Sequence, residues 1–181
     1  KKAISEIGKE KIAAFVGETI LGGLIGDVPP LKGYWLEISN ICKENNIHLI
    51  MDEVYCGTSS SGSYHCCAQD NVKPDFLTLG KTLCAGYIPL SGLLLKSEIY
   101  RDAVKLDNRL QHSTTFQGHI LGVASALAAQ KILSKKEFVL EVMQKGELFR
   151  EKINNELKNN SIFINIRGRG LRNSIEFSCE N

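Results

Sequence analysis

The segment HLIMDEVYCG, residues 48–57, runs an apolar strand toward the interior and sets two carboxylates, Asp52 and Glu53, at its end. The polar KENN at 43–46 precedes it and Gly57 closes it, so the run has the length and punctuation of a strand buried in a covered sheet. A carboxylate taken out of water is costly unless a cation or hydrogen-bond donors meet it. The fold around this segment must therefore supply partners for two acids, and the cation that faces Asp52 is the first thing to identify.

Working outward, IAAFVGETIL at 12–21 is another short apolar run, interrupted by Glu18 and ended by Gly22 and Gly23, as a buried strand entering a loop would be. Apolar residues at 31, 34, 35, 38, 41 and 42 mark one stripe of a helix over 31–46 that leads into the central strand. PDFLTL at 74–79 reads as a further buried strand and runs directly into Gly80 and Lys81, and GLLLK at 92–96 is the next. Continuous apolar strands separated by helices and loops predict an α/β fold with a parallel or mixed sheet covered on both faces. Functional groups in such sheets gather at the strand ends. Beyond the sheet, QGHILGVASALAAQKIL at 117–133, rich in Ala and Leu, predicts a closely packed helix. Residues 135–159 form a longer amphipathic one, with Phe138, Val142, Leu148, Ile153 and Leu157 on or near one face. IFINIRGRGLRNSIEF at 162–177 alternates in part about Gly168 and Gly170, as a hairpin does.

Bulk properties narrow the class. The chain has 181 residues, 43% hydrophobic and 23% charged, with a formal charge of +2, which is ordinary for a globular protein. That charge is too small and too evenly mixed for a nucleic-acid footprint or a polybasic membrane patch, so neither partner is expected. Cysteines stand at 42, 56, 66, 67, 84 and 179 with no C-x-x-C pair and no His spacing for zinc, so no metal site is expected. They read as free thiols in a reducing compartment, and with no membrane-length apolar run and no secretory signal the expectation is cytoplasmic, or an organelle matrix. The chain opens without Met and closes just after an apolar run, so both ends read as cuts through a longer polypeptide. The Ser-rich GTSSSGS at 57–63 lacks the G-K-[ST] ending of a phosphate loop and reads as a flexible loop.

Three polar features then stand at strand ends: Glu18, the pair Asp52 and Glu53, and Lys81. Singly, each has an ordinary explanation as a loop cap, an acceptor of a backbone amide or a solvated surface amine. An acid at the end of one strand and a lysine at the end of the next is the pattern that pyridoxal phosphate chemistry requires. An amine must condense with the aldehyde, and an acid must keep the pyridine nitrogen protonated so that the ring can accept electrons.

The chain resembles the class III pyridoxal phosphate aminotransferases, the omega or ornithine/GABA type. The resemblance runs in order through FVGETILGG, VPPLKGYWLEISNICKENNIHLIMDEVYCG, KPDFLTLGKTLCAGYIPLSGLLL, STTFQGH and RGRGL. It implies the C-terminal part of the large domain of a fold-type I transferase over residues 1–134, with a mostly parallel sheet flanked by helices. Residues 135–181 would be a connecting helix and the start of a small α+β domain. It implies that Asp52 pairs with the pyridinium nitrogen, that Val54 packs on a ring face, that Tyr55 donates toward the phenolic oxygen and that Lys81 is the Schiff-base lysine. Thr115 would reach the phosphate held by the neighbouring subunit of a homodimer, although as a Thr before Phe it also suits the plain role of helix cap. Glu18 would stand near the substrate. The implied reaction moves an amino group from an amino donor to a 2-oxo acid, while a truncated non-catalytic assembly module and one chain of a split enzyme stand as alternatives. Where the family commonly has Pro, Gln, Arg and Pro, this chain has Thr19, Tyr55, Ser60 and Ile120. The family's upstream phosphate-binding loop and downstream carboxylate-binding Arg have no counterpart in these residues.

Overall fold

In the computed structural model, which describes residues 1–23 and 25–178, the central strand is His48–Asp52 (β2). It lies between Ala14–Glu18 (β1) and Phe76–Leu79 (β3), with Gly92–Leu95 (β4) beyond, in the order β1-β2-β3-β4. β1, β2 and β3 are parallel and β4 runs antiparallel to β3, so the sheet is mostly parallel. The register sets Glu18 beside Asp52 and Asp52 beside Thr78, which aligns the carboxyl ends of the three parallel strands.

Alternation decides the core. Leu49 and Met51 of β2 and Leu77 and Leu79 of β3 are buried against Trp35 and Cys42 of helix Tyr34–Glu44 (α2), together with Ile47, Cys67 and Val72. Trp35 Nε1 donates to the Thr19 carbonyl at 3.1 Å, which fixes the helix over the end of β1. On the other face Ile50, Asp52, Phe76 and Thr78 are only half buried, and Val16 of the edge strand β1 is 62% exposed. The expectation of a sheet covered on both faces thus holds for one face: the described residues lay α2 on one side and leave the other half open.

Four more α-helices lie among the described residues: Lys2–Ile7 (α1), Ser97–Asp107 (α3), Ile120–Leu133 (α4) and Lys136–Leu157 (α5). The sequence reading assigned no element to α3, which buries no residue. α4 is packed along one side only. Gln130 Nε2 donates to the Leu83 carbonyl at 2.8 Å, while Ile120, Leu121 and Leu127 are exposed. On α5 the inward stripe is Phe138, Val142, Gly146, Arg150, Ile153 and Leu157, and Leu148 points outward, because the buried positions recur every three to four residues and 148 falls between them.

The hairpin Phe163–Arg169 (β5) and Arg172–Phe177 (β6) forms a separate two-stranded sheet. Its turn explains RGRGL. Gly170 adopts a left-handed φ of 56° and sits so tightly between neighbours that a Cβ there would come within 2.3 Å of Ser61. A Cβ on Gly146 of α5 would come within 1.8 Å of the Gly170 carbonyl. Around this contact Leu171 N donates to the Ser60 carbonyl at 3.0 Å, and Arg169 grips Asp70 with two bonds of 2.7 and 3.1 Å. Arg167 donates to the carbonyls of Ile25 and Gly26 at 2.7 and 2.8 Å. GTSSSGS is therefore a packed floor under the hairpin rather than a flexible loop, with Thr58, Ser59 and Ser61 buried.

Candidate active site

The acidic pair splits into two tasks. Glu53 turns inward and is 1% exposed, where it accepts the backbone amides of Cys66 and Cys67 at 2.8 and 2.6 Å and the Thr19 hydroxyl at 3.3 Å. Donors rather than a cation compensate its burial. Asp52 is half buried, and its Oδ1 accepts from Val54 N and from Thr78 Oγ1, both at 2.9 Å. Among the described residues no cation pairs with Asp52 and no hydrogen bond reaches its Oδ2. Two donors on one oxygen thus fix the carboxylate and leave the other oxygen to face a partner.

Lys81 follows β3 by two residues and opens a 3₁₀ turn, Lys81–Cys84, with a left-handed φ of 43°. Among the described residues its amine meets no carboxylate. Lys81 is exposed. Val54 packs against Gly80, where a Cβ would come within 3.0 Å of Val54 Cγ1, and the two line with Lys81, Ile88 and Pro89 an open cleft of about 560 Å³.

Tyr55 stands beside Lys81. Lys81 Nζ lies 5.6 Å from its ring centroid and the Arg172 Cζ 4.4 Å. Burial and the neighbouring Asp27 carboxylate push the Tyr55 hydroxyl upward in pKa, against a smaller opposing pull from Arg172. Asp27 itself is 2% exposed, with Oδ2 accepting from Ser174 Oγ at 2.7 Å.

Two expected site residues stand apart. Glu18 Oε2 accepts from Gly22 N at 3.3 Å, and its side chain lines a different, largely apolar cavity of about 420 Å³ with Val28, Pro30 and Tyr34. Thr115 is exposed in the turn before α4. It does not cap that helix, because His119 does so, its Nδ1 accepting from Gly122 N at 3.2 Å. The neighbours Thr114 and Phe116 border a cavity of about 550 Å³ that shares the Ile88–Ser91 wall with the Lys81 cleft.

Sequence reasoning missed Thr78 and Arg172. Thr78 left a faint signal, a hydroxyl in an otherwise apolar strand. Nothing in the sequence ties residue 172 to residues 55 and 60, because that contact depends on how the hairpin docks. Of the cysteines, Cys42, Cys56, Cys66, Cys67 and Cys84 are free and buried, and Cys179 lies outside the described residues. Burial, and for Cys67 also the adjacent Glu53, push the thiols of Cys42 and Cys67 upward, away from reactivity.

A mostly parallel sheet that presents an oriented acid on one strand end and an unpaired lysine after the next defines the fold-type I transaminase class. The chain belongs to the class III aminotransferases, whose family model, "Aminotransferase class-III", matches residues 1–181. It is 34% identical to an aminotransferase of Gibberella zeae over 99% of this chain and 35% of that protein. To gamma aminobutyrate transaminase 2 of Solanum lycopersicum it is 36% identical, over 94% of this chain and 37% of that protein. A Bacillus anthracis aminotransferase superposes with a TM-score of 0.90 at 31% identity, over 97% of this chain and 39% of that one. The chain thus spans a little over a third of the length of the relatives it matches. Members of this family use pyridoxal phosphate.

The residues present fit that group. Asp52 holds one carboxylate oxygen unpartnered, Lys81 holds an amine without an acid, and the missing Cβ of Gly80 lets Val54 pack closely in the cleft that Lys81 lines. Among the described residues no helix is long and apolar enough to cross a membrane, and no cluster of three metal-ligating side chains occurs.

Proposed function

We propose that the polypeptide carrying this chain is an aminotransferase that moves an amino group from an amino donor to a 2-oxo acid. The observation that supports this best is the Asp52 carboxylate, oriented by Val54 N and Thr78 Oγ1 with Oδ2 unpartnered, on the strand beside the one that delivers Lys81. Pyridoxal phosphate, when bound, supplies an aldehyde carbon and an electron-accepting ring. Lys81 would supply the amine that holds the aldehyde carbon and the base that takes the proton from the donor Cα. Asp52 keeps a proton on the ring nitrogen by charge. Val54 would pack on one ring face, Tyr55 would donate from its hydroxyl toward the phenolic oxygen, and Glu18, the last residue of β1, would act on the substrate side.

On this reading residues 1–134 are part of the cofactor-binding large domain, and residues 135–181 are the connecting helix and the beginning of a small domain. The working unit is a homodimer in which Thr115 donates to the phosphate held by the neighbouring subunit. The exposed apolar residues Phe116, Ile120, Leu121 and Leu127 beside Thr115 support an interface there. The five free buried cysteines support a reducing compartment, and we assign the protein to the cytoplasm.

The test is spectroscopic and chemical. The complete polypeptide mixed with pyridoxal phosphate is expected to turn yellow, to lose that band on adding an amino donor and to regain it on adding a 2-oxo acid. A protein that stays colourless contradicts the proposal and favours a non-catalytic assembly role.

A further inference from the structure

Tyr55 stands where charges of both signs converge. Its ring packs on Gly22, where an added Cβ would overlap it, and on the buried residues Ile20, Cys56 and Cys66. Two cations lie against the same ring, Lys81 Nζ at 5.6 Å and Arg172 Cζ at 4.4 Å from its centroid. The hydroxyl lies between the Arg172 guanidinium, which donates toward it, and the Asp27 carboxylate, toward which it donates. Neither contact closes to full hydrogen-bond geometry, so Asp27 Oδ1 has no partner of its own although the residue is only 2% exposed. A buried carboxylate oxygen without a donor is costly. This one is nevertheless held firmly in place. Ser174 Oγ of the hairpin donates to Asp27 Oδ2 at 2.7 Å, and Arg167, its own charge met by Glu176, donates to the carbonyls of Ile25 and Gly26 beside it.

We infer that Asp27 is a positioning residue for the reaction: its carboxylate keeps the proton on Tyr55 and steers the hydroxyl, so that Tyr55 remains a hydrogen-bond donor beside two cations. This rests on the reading of Tyr55 as a donor to the cofactor's phenolic oxygen. Cations near a phenol favour its ionised form, and a phenol that has lost its proton donates nothing. A fixed anion at the hydroxyl works the other way. Burial and the Asp27 carboxylate together outweigh Arg172 and hold the Tyr55 hydroxyl above its ordinary pKa. Because the bond to Asp27 is not closed, the proton is free to turn to a better-placed acceptor while the carboxylate still acts on it by charge. Removing that charge lowers the pKa of Tyr55, so its capacity to donate is lost at a lower pH. The effect falls on the alkaline side of the pH profile.

The experiment uses the complete polypeptide. Ionisation of Tyr55 is read without cofactor, as the part of the phenolate absorbance on alkaline titration that the matching Tyr55→Phe protein lacks. In Asp27→Asn that step should come at lower pH than in the wild type, and in Asp27→Glu, which keeps the charge, it should move less. With pyridoxal phosphate bound, Tyr55→Phe is expected to lower kcat by about 3- to 10-fold, the range of one lost hydrogen bond. The kcat of Asp27→Asn relative to wild type should fall toward that same loss as pH rises, whereas in a Tyr55→Phe background the ratio should be flat with pH. Asp27 has a left-handed φ of 41°, so Asp27→Gly, which suits that backbone, carries the test if the Asn variant does not fold. A Tyr55 step that stays in place when the charge is removed overturns the inference and leaves the reading of Tyr55 standing. A loss of kcat that is the same at every pH and persists in the Tyr55→Phe background makes Asp27 merely structural, and overturns it too. Wild-type turnover in Tyr55→Phe removes the reading of Tyr55 and the inference with it.

Discussion

At the residue scale the two neighbouring carboxylates of β2 do opposite work, and substitution separates them. Asp52→Asn should keep the fold and the cofactor yet lose amino transfer by about 10²–10³-fold, because a neutral amide cannot hold a proton on the ring nitrogen by charge. Near-normal kcat in that variant would make Asp52 structural. Glu53→Gln should do the reverse. Its amide keeps one oxygen for one of the two backbone donors and turns N–H₂ against the other, so about 1–3 kcal/mol of stability is lost, read by urea denaturation, with turnover per folded molecule preserved. The sequence made the position of both acids legible, since an apolar run ending in D-E can hardly be anything but a strand end. Which one faces the site was legible only through the family resemblance. Glu53 is claimed by amides of residues 66 and 67, a loop whose path no local pattern predicts. Ser60 illustrates the same limit: its neighbour Arg172 comes from 112 residues away.

At the element scale the sheet was the most legible part, because each strand is a short apolar run with turn residues at both ends. The long amphipathic helix was legible in extent but not in its phase at Leu148. α4 is more apolar than its packing within one chain explains, so periodicity gave the helix without its partner. The hairpin depends on close backbone approach. Gly146→Ala should therefore cost about 2–4 kcal/mol, well above the usual effect of Gly→Ala in a helix, because the added methyl collides with the Gly170 carbonyl. An unchanged melting temperature in that variant would refute the docking of the hairpin on α5. A second element-level tie is Asp75, which accepts Leu49 N at 2.8 Å and the Lys96 ammonium at 2.6 Å. Burial works against its charge, but these donors and His48 outweigh it and hold its carboxyl below the ordinary value. A depressed folded-state pKa stabilises above the unfolded value of about 4, and that stability is lost as pH falls through the lower folded value. With Lys96 partly exposed the pair contributes about 1 kcal/mol. Asp75→Asn should show that deficit in denaturation at pH 7 and should narrow it near pH 2.

At the scale of the whole molecule the chain spans a little over a third of its relatives, and one face of its sheet and one side of α4 lie open. If Thr115 serves the neighbouring subunit, each site is shared. Inactive Lys81→Ala and Thr115→Ala variants refolded together should then regain part of the activity, because a mixed dimer assembles one site from two unaltered halves. A complete polypeptide that sediments as a monomer under assay conditions and still turns over would remove the role of Thr115. All of this presupposes that Lys81 is the amine that holds the cofactor. The direct measurement is borohydride reduction of the cofactor-loaded complete polypeptide followed by peptide mapping. The predicted result is a pyridoxyl group on the peptide containing Lys81 and on no other, and a label on a different lysine would contradict the account.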